Sequence, residues 1–430
     1  MINRKKAAPT PPMGWNSWDC YGAGVTEEIL LRNAAFVQQH LKDYGWQYVV
    51  CDIQWYEPTA VDTRYHDFAP LCMDAWSRLI PAENRFPSSA GGKGFAPIAE
   101  KIHAMGLKFG IHILRGIPRQ AVHAAAPILG SSATARDIAS SFSLCSWNTD
   151  MYGVDATKEG AQAYYDSLFS LYASWGVDFV KVDDICDTKF NPQNPYSAKA
   201  EIEMIRKAID CCGREMVLSL SPGPARLENA WHLATNADMW RLTDDFWDTW
   251  PQLKDMFRRC EQWYAFAKDG CWPDCDMLPL GRLCVSDRKQ PDRRCRLTEA
   301  EQRTMMNLWC IFRSPLMLGA ETEGMDDFTL SLLTNREVLA VNQTGQNQKP
   351  VKSSAEEAVW QSQLPDGQCV IALFNLTEQE REITVTAHEL GLPALYAVKD
   401  LWTKAFTPTE NGTLTILLPA HASTMLLVQA

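Results

Sequence analysis

The chain has 430 residues, of which 46% are hydrophobic and 22% are charged, the proportions of a folded globular protein rather than of a disordered or collagen-like chain. Its formal net charge of −11 disfavours a nucleic-acid partner and suits a neutral ligand better than a polyanion. No uncharged apolar stretch reaches the ~18 residues that span a membrane, and no apolar segment follows the basic start, so we expect a cytoplasmic protein without a secretory signal.

The fourteen cysteines are expected to be free thiols. In a long chain without a secretory signal, cysteines are typically reduced rather than paired in a disulfide framework. The spacing nearest to a metal site is Cys271-Trp-Pro-Asp-Cys275, but no Cys-x2-Cys occurs and the eight histidines are scattered. We therefore expect no structural zinc.

Short apolar runs alternate with helical stretches through residues 1–342. The predicted strands are Met13–Trp18, Tyr48–Ile53, Lys108–Ile113, Phe179–Asp183, Met216–Ser221, Met239–Thr243, Cys271–Leu278 and Phe312–Leu318. The predicted helices between them include Thr26–Tyr44, Phe95–Met105, Lys158–Trp175, Ala198–Cys211 and Pro251–Ala267. Eight β/α units in succession predict a TIM barrel, the (β/α)8 fold, over residues 1–342. A doubly wound open sheet is the alternative, although the Gly-rich phosphate turn that often accompanies it is absent from the sequence.

Residues 343–430 have a different pattern. A polar, turn-rich connector is predicted over Asn342–Pro350, and turn sequences such as Pro365-Asp-Gly367 separate the alternating segments that follow. The predicted strands are Ala358–Gln363, Gln368–Asn375, Arg381–Thr386, Ala394–Asp400, Thr413–Leu418 and Ser423–Val428. They predict a C-terminal antiparallel β-sandwich domain. The segment lacks clustered catalytic residue types, so its expected role is structural or ancillary.

Polar or aromatic side chains end nearly every predicted barrel strand. They are Trp18, Asp52, His112, Asp183, Ser221, Asp245 and Asp274. The carboxyl ends of barrel strands form one face, and that face carries the active site of TIM-barrel enzymes. We therefore expect these residues to converge on one site.

Several of the sixteen tryptophans lie beside carboxylates. The pairs are Trp18 with Asp19, Asp52 with Trp55, Asp245 with Trp247, and Trp272 with Asp274. A sugar packs its C–H face on an aromatic ring while its hydroxyls donate to acceptors such as carboxylates. The pattern favours a carbohydrate site, the alternative being core tryptophans with chance neighbours.

Two strand ends combine a cation with carboxylates. Lys181 and Asp183 are two residues apart on a strand and therefore face the same side, where the lysine keeps the carboxylate ionised. This suits a nucleophile or a metal ligand, although a buried ion pair without chemistry has the same pattern. Arg241 precedes Asp245, and the aromatic residues that follow favour a protonated general acid. One ionised and one protonated carboxyl group match the glycosidase pattern.

Motifs in the same order along essentially the whole chain resemble glycoside hydrolase family 27, the α-galactosidase family. They are Pro12-Met-Gly-Trp-Asn-Ser-Trp18-Asp, Gly94-Phe-Ala-Pro-Ile-Ala-Glu, Val180-Lys181-Val-Asp183, Trp240-Arg241…Asp245, Trp272-Pro-Asp-Cys-Asp276-Met-Leu and Arg313-Ser-Pro-Leu-Met-Leu. The resemblance implies a (β/α)8 barrel followed by an antiparallel β-sandwich, a retaining double displacement, and no metal or organic cofactor.

The resemblance also implies roles for individual residues. Asp183 matches the family's nucleophile and Asp245 its acid/base, while Trp18 is implied to stack on the sugar. Lys181 and Arg241 are implied to bind sugar hydroxyls.

The sugar pocket departs from the family pattern. Typical members carry two consecutive acids after strand 2, in a pattern like Asp-Asp-Cys-Trp, where this chain has Asp52-Ile53-Gln54-Trp55. The disulfide that the family often forms from Cys20 toward that cysteine therefore cannot form. The family's strand-3 tyrosine is replaced by His112, and the strand-5 region reads Leu218-Ser-Leu-Ser221. Asp52, Ile53, His112 and Ser221 are accordingly predicted to be substrate-binding residues of an altered pocket.

The acids at this position of the family face O4 and O6 of galactose. β-L-Arabinopyranose is α-D-galactopyranose without its hydroxymethyl group, and Ile53 would fill the vacated volume. An unsatisfied buried hydroxyl costs roughly 1–3 kcal/mol, about ten- to a hundredfold in kcat/KM. The expected activity is hydrolysis of terminal α-D-galactosyl or, favoured here, β-L-arabinopyranosyl residues, because the combination resembles the β-L-arabinopyranosidase branch of the family.

Three other classes stay open. The presence of both Asp183 and Asp245 disfavours a non-catalytic sugar-binding protein on the same scaffold. A metal-dependent barrel hydrolase usually has several histidines at its strand ends, where only His112 is predicted. A transglycosylase would use the same machinery. The expected partner is a small carbohydrate and neither nucleic acid nor a membrane, while the oligomeric state, a homo-oligomer included, is left open.

Overall fold

The computed structural model describes residues 7–287 and 290–429, and its larger part is a barrel of parallel strands. These strands are β1 Met13–Asn16, β2 Tyr48–Cys51, β3 Lys108–Leu114, β4 Phe179–Asp183, β5 Val217–Leu220, β6 Met239–Arg241, β7 Trp272–Asp274 and β8 Leu316–Leu318. They adjoin in the order β7-β6-β5-β4-β3-β2-β1-β8. A parallel bridge between Leu278, just after β7, and Leu318 joins the two edges. The predicted (β/α)8 barrel is confirmed.

Helices lie between successive strands and follow the last one. They are α1 Glu27–Phe36, α2 Ala96–Ala104, α3 Ala161–Ser174, α4 Lys199–Cys211, α5 Ala230–Asn236, α6 Trp250–Trp263, α7 Glu299–Phe312, α8 Asp327–Leu333 and α9 Arg336–Thr344. Local sequence sets several of the starts. Thr26 caps α1, Pro251 lies in the first turn of α6, and Thr298 with Glu301 forms a capping box on α7. Among the described helices, none has the length and apolar character needed to cross a membrane.

Strand alternation places the functional side chains inside the barrel mouth. On β4, Phe179 packs in the interior layer with Tyr48 and Val50 of β2. Because alternate side chains share a face, Lys181 and Asp183 follow Phe179 on the inner side, toward the carboxyl end. The barrel core therefore fills the lower part of the interior and leaves charged side chains at the top.

Six of the eight barrel-strand predictions extended too far, most clearly the first and the last two. β7 ends at Asp274 rather than Leu278, and Trp18 begins a one-turn helix, Trp18–Tyr21. Phe312 belongs to α7, which Arg313 terminates in a left-handed conformation with φ 67°. The physical reason is that an apolar run by itself does not distinguish a buried strand from the buried end of a helix.

The C-terminal part is antiparallel, as predicted. Its strands are β9 Gln346–Ser353, β10 Glu357–Gln363, β11 Cys369–Asn375, β12 Arg381–Thr386, β13 Ala397–Asp400, β14 Phe406–Pro408, β15 Thr413–Leu418 and β16 Ser423–Gln429. Six of them form a sheet in the order β9-β10-β11-β16-β13-β14, and β12 pairs with β15 in a second sheet. Val359 and Leu373 pack in the core between the two sheets, whereas Trp360 and Phe374 face the barrel.

The prediction of an irregular connector over Asn342–Pro350 is wrong. Helix α9 continues to Thr344, and β9 begins at Gln346 and pairs with β10. Its register is interrupted twice, once just after Pro350. Because β9 is the edge of its sheet, only one side of its backbone is paired, so a polar sequence with a proline is tolerated.

Candidate active site

A cavity of about 320 Å³ opens at the carboxyl ends of the barrel strands. The residues that line it are Trp18, Asp19, Asp52, Ile53, Tyr65, Ser146, Trp147, Lys181, Asp183, Lys189, Pro222, Arg241, Asp244, Asp245, Phe246, Trp247, Asp276 and Met277. Seven of the nine predicted site residues are among them. The two others, His112 and Ser221, are fully buried, and neither is among the described residues that line the cavity.

Asp183, the last residue of β4, has both carboxylate oxygens hydrogen-bonded. His112 Nε2 lies 3.0 Å from Oδ2, and the Asp184 N–H donates to Oδ1 at 2.8 Å. Burial alone would raise the pKa of Asp183, but the His112 hydrogen bond and the charges of His112 and Lys181 outweigh it and hold the pKa below its usual range. The side chain is therefore an ionised carboxylate in a fixed orientation.

Lys181 pairs with Asp52 rather than with Asp183, its neighbour along the strand. Its Nζ donates to Asp52 Oδ2 at 3.1 Å, and Asn16 donates to the same oxygen at 2.8 Å. Burial tends to raise the pKa of Asp52, but Lys181 and His112 hold it below the usual value. Lys181 thus links the ends of β2 and β4, and its charge still contributes to the low pKa of Asp183.

Asp245 lies at the rim of the cavity, where its side chain is 61% exposed. Arg241 Nη2 donates to Asp245 Oδ1 at 2.7 Å and lies 3.3 Å from Asp276 Oδ2. The same Asp276 oxygen accepts the Phe246 N–H at 2.8 Å. Asp276 therefore holds both the arginine and the backbone next to Asp245.

Sequence reasoning singled out Asp274 as the strand-end acid, but Asp276 is the acid in the cavity wall. β7 ends at Asp274, and the chain then turns through Asp276, which has φ 78°. Burial is the main cause that raises the pKa of Asp276, against the opposing charge of Arg241. The signal that could have found it was the Asp-Cys-Asp spacing, which offered two acids for one strand end.

An aromatic wall runs outward from Trp18. Tyr65 stacks on Trp18 with ring centroids 6.0 Å apart and an angle of 18° between the rings, and Trp147 lies 5.5 Å from Tyr65. Tyr65 follows β2 in a long loop, and Trp147 lies in the turn between the paired strands Ala139–Leu144 and Met151–Val154. Sequence reasoning missed both, since loop residues have no periodic pattern that assigns them to a site.

Ile53 lies in the cavity wall and is only 2% exposed. Its N–H donates to Asp52 Oδ1 at 2.9 Å, which fixes the backbone at this position. Gln54, the next residue, points elsewhere and donates to Asp150 Oδ2 at 2.6 Å. The apolar side chain therefore forms one side of the cavity, next to Asp52.

The predicted substrate-binding roles of His112 and Ser221 stay predictions. His112 is packed behind the wall and meets Asp183 directly. Ser221 precedes Pro222, a wall residue, and its hydroxyl lies 3.5 Å from the Val182 carbonyl. Each side chain therefore meets the cavity through a neighbouring wall residue, Asp183 for His112 and Pro222 for Ser221.

Comparison with known proteins gives consistent matches along the chain. Residues 149–344 match the family model for alpha galactosidase A, and residues 354–428 match the alpha galactosidase C-terminal beta sandwich domain. A GH27 β-L-arabinopyranosidase from Geobacillus stearothermophilus is 54% identical, with a TM-score of 0.97 and coverage of 100% of this chain and 98% of that one.

Two further relatives place this match in context. A variant of the Geobacillus stearothermophilus enzyme in complex with arabinose is also 54% identical with a TM-score of 0.97, over 100% of this chain and 99% of that one. An α-galactosidase from Cyamopsis tetragonoloba is 26% identical over 97% of this chain and 85% of its own length.

Proposed function

Because the chain belongs to glycoside hydrolase family 27, we propose that it is a retaining exo-glycosidase that hydrolyses terminal β-L-arabinopyranosyl residues. The reaction is a double displacement, with Asp183 as the nucleophile and Asp245 as the acid/base. The observation that carries the choice of sugar is Ile53 in the cavity wall beside Asp52.

In the first step, a carboxylate oxygen of Asp183 attacks the anomeric carbon and forms a covalent glycosyl–enzyme. The glycosidic oxygen leaves with a proton from Asp245. The low pKa of Asp183 supports this assignment, because the nucleophile is ionised before substrate binds. The exposure of Asp245 at the rim supports its role, because the leaving group must point out of the cavity.

In the second step, Asp245 accepts a proton from a water molecule that attacks the same carbon from the leaving-group side. Two inversions return the sugar with its original anomeric configuration. We propose that Trp18 stacks on the C–H face of the sugar. Lys181, Asp52 and Arg241 then form hydrogen bonds with the sugar hydroxyls, and all three side chains line the cavity.

The similarity to the Geobacillus stearothermophilus β-L-arabinopyranosidase, at 54% identity, supports the arabinoside as substrate. Ile53 offers no acceptor to a hydroxymethyl group, so a bound galactoside would lose a hydrogen bond worth about 1–3 kcal/mol. An α-galactosidase is the second candidate, because the matched family model and the Cyamopsis tetragonoloba relative are described as α-galactosidases.

A panel of nitrophenyl glycosides tests the proposal. The expected result is a kcat/KM for the β-L-arabinopyranoside about ten- to a hundredfold above that for the α-D-galactoside. The reverse order would favour an α-galactosidase with an altered pocket. Turnover of neither, together with binding of both sugars, would leave a sugar-binding protein.

We further propose that the catalytic domain comprises residues 1–342 and the sandwich domain residues 343–430. The sandwich serves to cover the barrel helices α6 and α7, as the edge-to-face contact of Phe257 with Phe374 at 4.9 Å illustrates.

The fourteen free cysteines support a reducing, cytoplasmic compartment.

A further inference from the structure

A buried arginine lies behind Asp183 in a cluster that the proposed mechanism does not use. Arg115 directly follows β3, and its Nη2 is 2.9 Å from Asp184 Oδ2 while its Nη1 is 3.0 Å from Glu201 Oε1. All three residues are buried. A cation between two acids, taken out of water beside the nucleophile, requires a structural or catalytic explanation.

Arg115 also holds the main chain at the nucleophile. Its Nε donates to the Asp184 carbonyl, and its own N–H donates to the Asp183 carbonyl at 3.1 Å. Asp184 has φ 54°, in the left-handed region that residues other than glycine seldom adopt. In this conformation, the Asp184 N–H reaches Asp183 Oδ1 at 2.8 Å. The arginine therefore fixes the turn that supplies one of the two hydrogen bonds to the nucleophile.

The arginine is itself held rigidly from three other segments. Ser143 Oγ accepts from its Nη1 at 2.9 Å, and Glu201 accepts from Tyr165 OH at 2.6 Å and from the Val154 N–H at 3.2 Å. These partners belong to α3, α4 and the paired strands before α3. Arg115 thus connects the packed helices α3 and α4 to the turn at the end of β4.

The Asp184 carboxyl group contributes less than the Asp184 backbone. Neither of its oxygens has an aligned hydrogen-bond donor among the described residues, although Arg115 is close. Burial raises the pKa of this carboxyl group to about 7, against the opposing charge of Arg115.

We propose that Arg115 is a positioning residue for the nucleophile Asp183. It fixes the left-handed turn at Asp184, and this turn directs the Asp184 N–H toward Asp183 Oδ1. With His112 on the other oxygen, the carboxylate has one orientation before the sugar arrives. The inference rests on the proposed function, in which Asp183 attacks the anomeric carbon.

The test is the rate of glycosyl–enzyme formation in the variant Arg115→Met, measured by a pre-steady-state burst with a dinitrophenyl β-L-arabinopyranoside. A misplacement of about 1 Å can slow a reaction about a hundredfold, so we expect a ten- to hundredfold slower burst. The substrate dissociation constant, taken from the concentration dependence of the burst rate, should change less than about threefold. Azide should not restore the rate, because the Asp183 carboxylate still occupies its site.

The matched control is Arg206→Met. Arg206 is also a buried cation between two acids, 2.8 Å from Asp210 and 3.3 Å from Asp238. Asp238 directly precedes β6, at the end of the barrel opposite the cavity. This variant should lower the melting temperature and leave the burst rate unchanged. Equal slowing in both variants, or a wild-type burst rate in Arg115→Met, would overturn the inference.

A milder variant keeps the inference falsifiable if Arg115→Met does not fold. Arg115→Lys keeps the charge but loses the fork that reaches the Asp184 carbonyl and two acids, so it should also slow the burst. A wild-type rate in Arg115→Lys would contradict the inference, whereas a wild-type enzyme that cleaves neither glycoside would refute the proposed function itself.

Discussion

The apolar side chain at position 53 provides the sharpest test of sugar preference. In the variant Ile53→Asp, a carboxylate replaces a side chain that is 2% exposed in the cavity wall. The backbone is fixed by the bond from the Ile53 N–H to Asp52 Oδ1, so the new group should stay in the wall. It would give a galactoside hydroxymethyl group an acceptor and, being shorter, would also open space for it.

The size of the effect follows from the hydrogen bond. A charge-assisted hydrogen bond contributes roughly 1.5–3 kcal/mol, so the ratio of kcat/KM for α-D-galactoside over β-L-arabinopyranoside should rise about ten- to a hundredfold. The new charge would also repel Asp52 and Asp183, and the Lys181 ammonium that could offset it already donates to Asp52 at 3.1 Å. Absolute rates on both substrates should therefore fall, and the ratio is the quantity to measure.

The assay uses both nitrophenyl glycosides on the same enzyme preparation, with a melting temperature for each variant. Ile53→Val is the control for space without an acceptor, and Ile53→Asn is the control for an acceptor without charge. We expect the ratio to increase from Val to Asn to Asp. An unchanged ratio with a lower melting temperature in Ile53→Asp would refute the reasoning, since it would mean that the side chain does not meet the sugar.

Three further predictions concern the two carboxylates. Asp183→Ala should lose nearly all turnover, and azide should restore its activity with a glycosyl azide of inverted configuration as the product. With Asp245→Ala, azide should instead give a glycosyl azide of retained configuration. Wild-type rates in both variants would contradict the assignment. A sugar-bound crystal structure should place the two carboxyl groups about 5–5.5 Å apart, and early-time proton NMR should show retention, while a separation near 9 Å would indicate inversion. His112→Phe removes a bond that lowers the pKa of Asp183, so the acid limb of the kcat/KM profile should move to higher pH; an unmoved limb would mean that another group controls it.

The sequence by itself determined the features that depend on local repetition. Alternating apolar runs and helical stretches identified the eight barrel strands, and the two-residue period of β4 placed Lys181 and Asp183 on one face. Since parallel strands end at one face of a barrel, Trp18, Asp52 and Asp245 could be expected around the same cavity before any coordinates were known.

Only the tertiary structure decided which groups meet. It pairs Lys181 with Asp52 rather than Asp183 and brings Tyr65 into the wall from a long loop. It also places Arg115 against Asp184, although the two residues are distant in sequence and no sequence motif connects them. The hydrophobic periodicity of a strand or helix involves only a few neighbouring residues and can be read from the sequence. These contacts depend instead on the paths of loops and on which strands adjoin, and both are set only when the barrel closes.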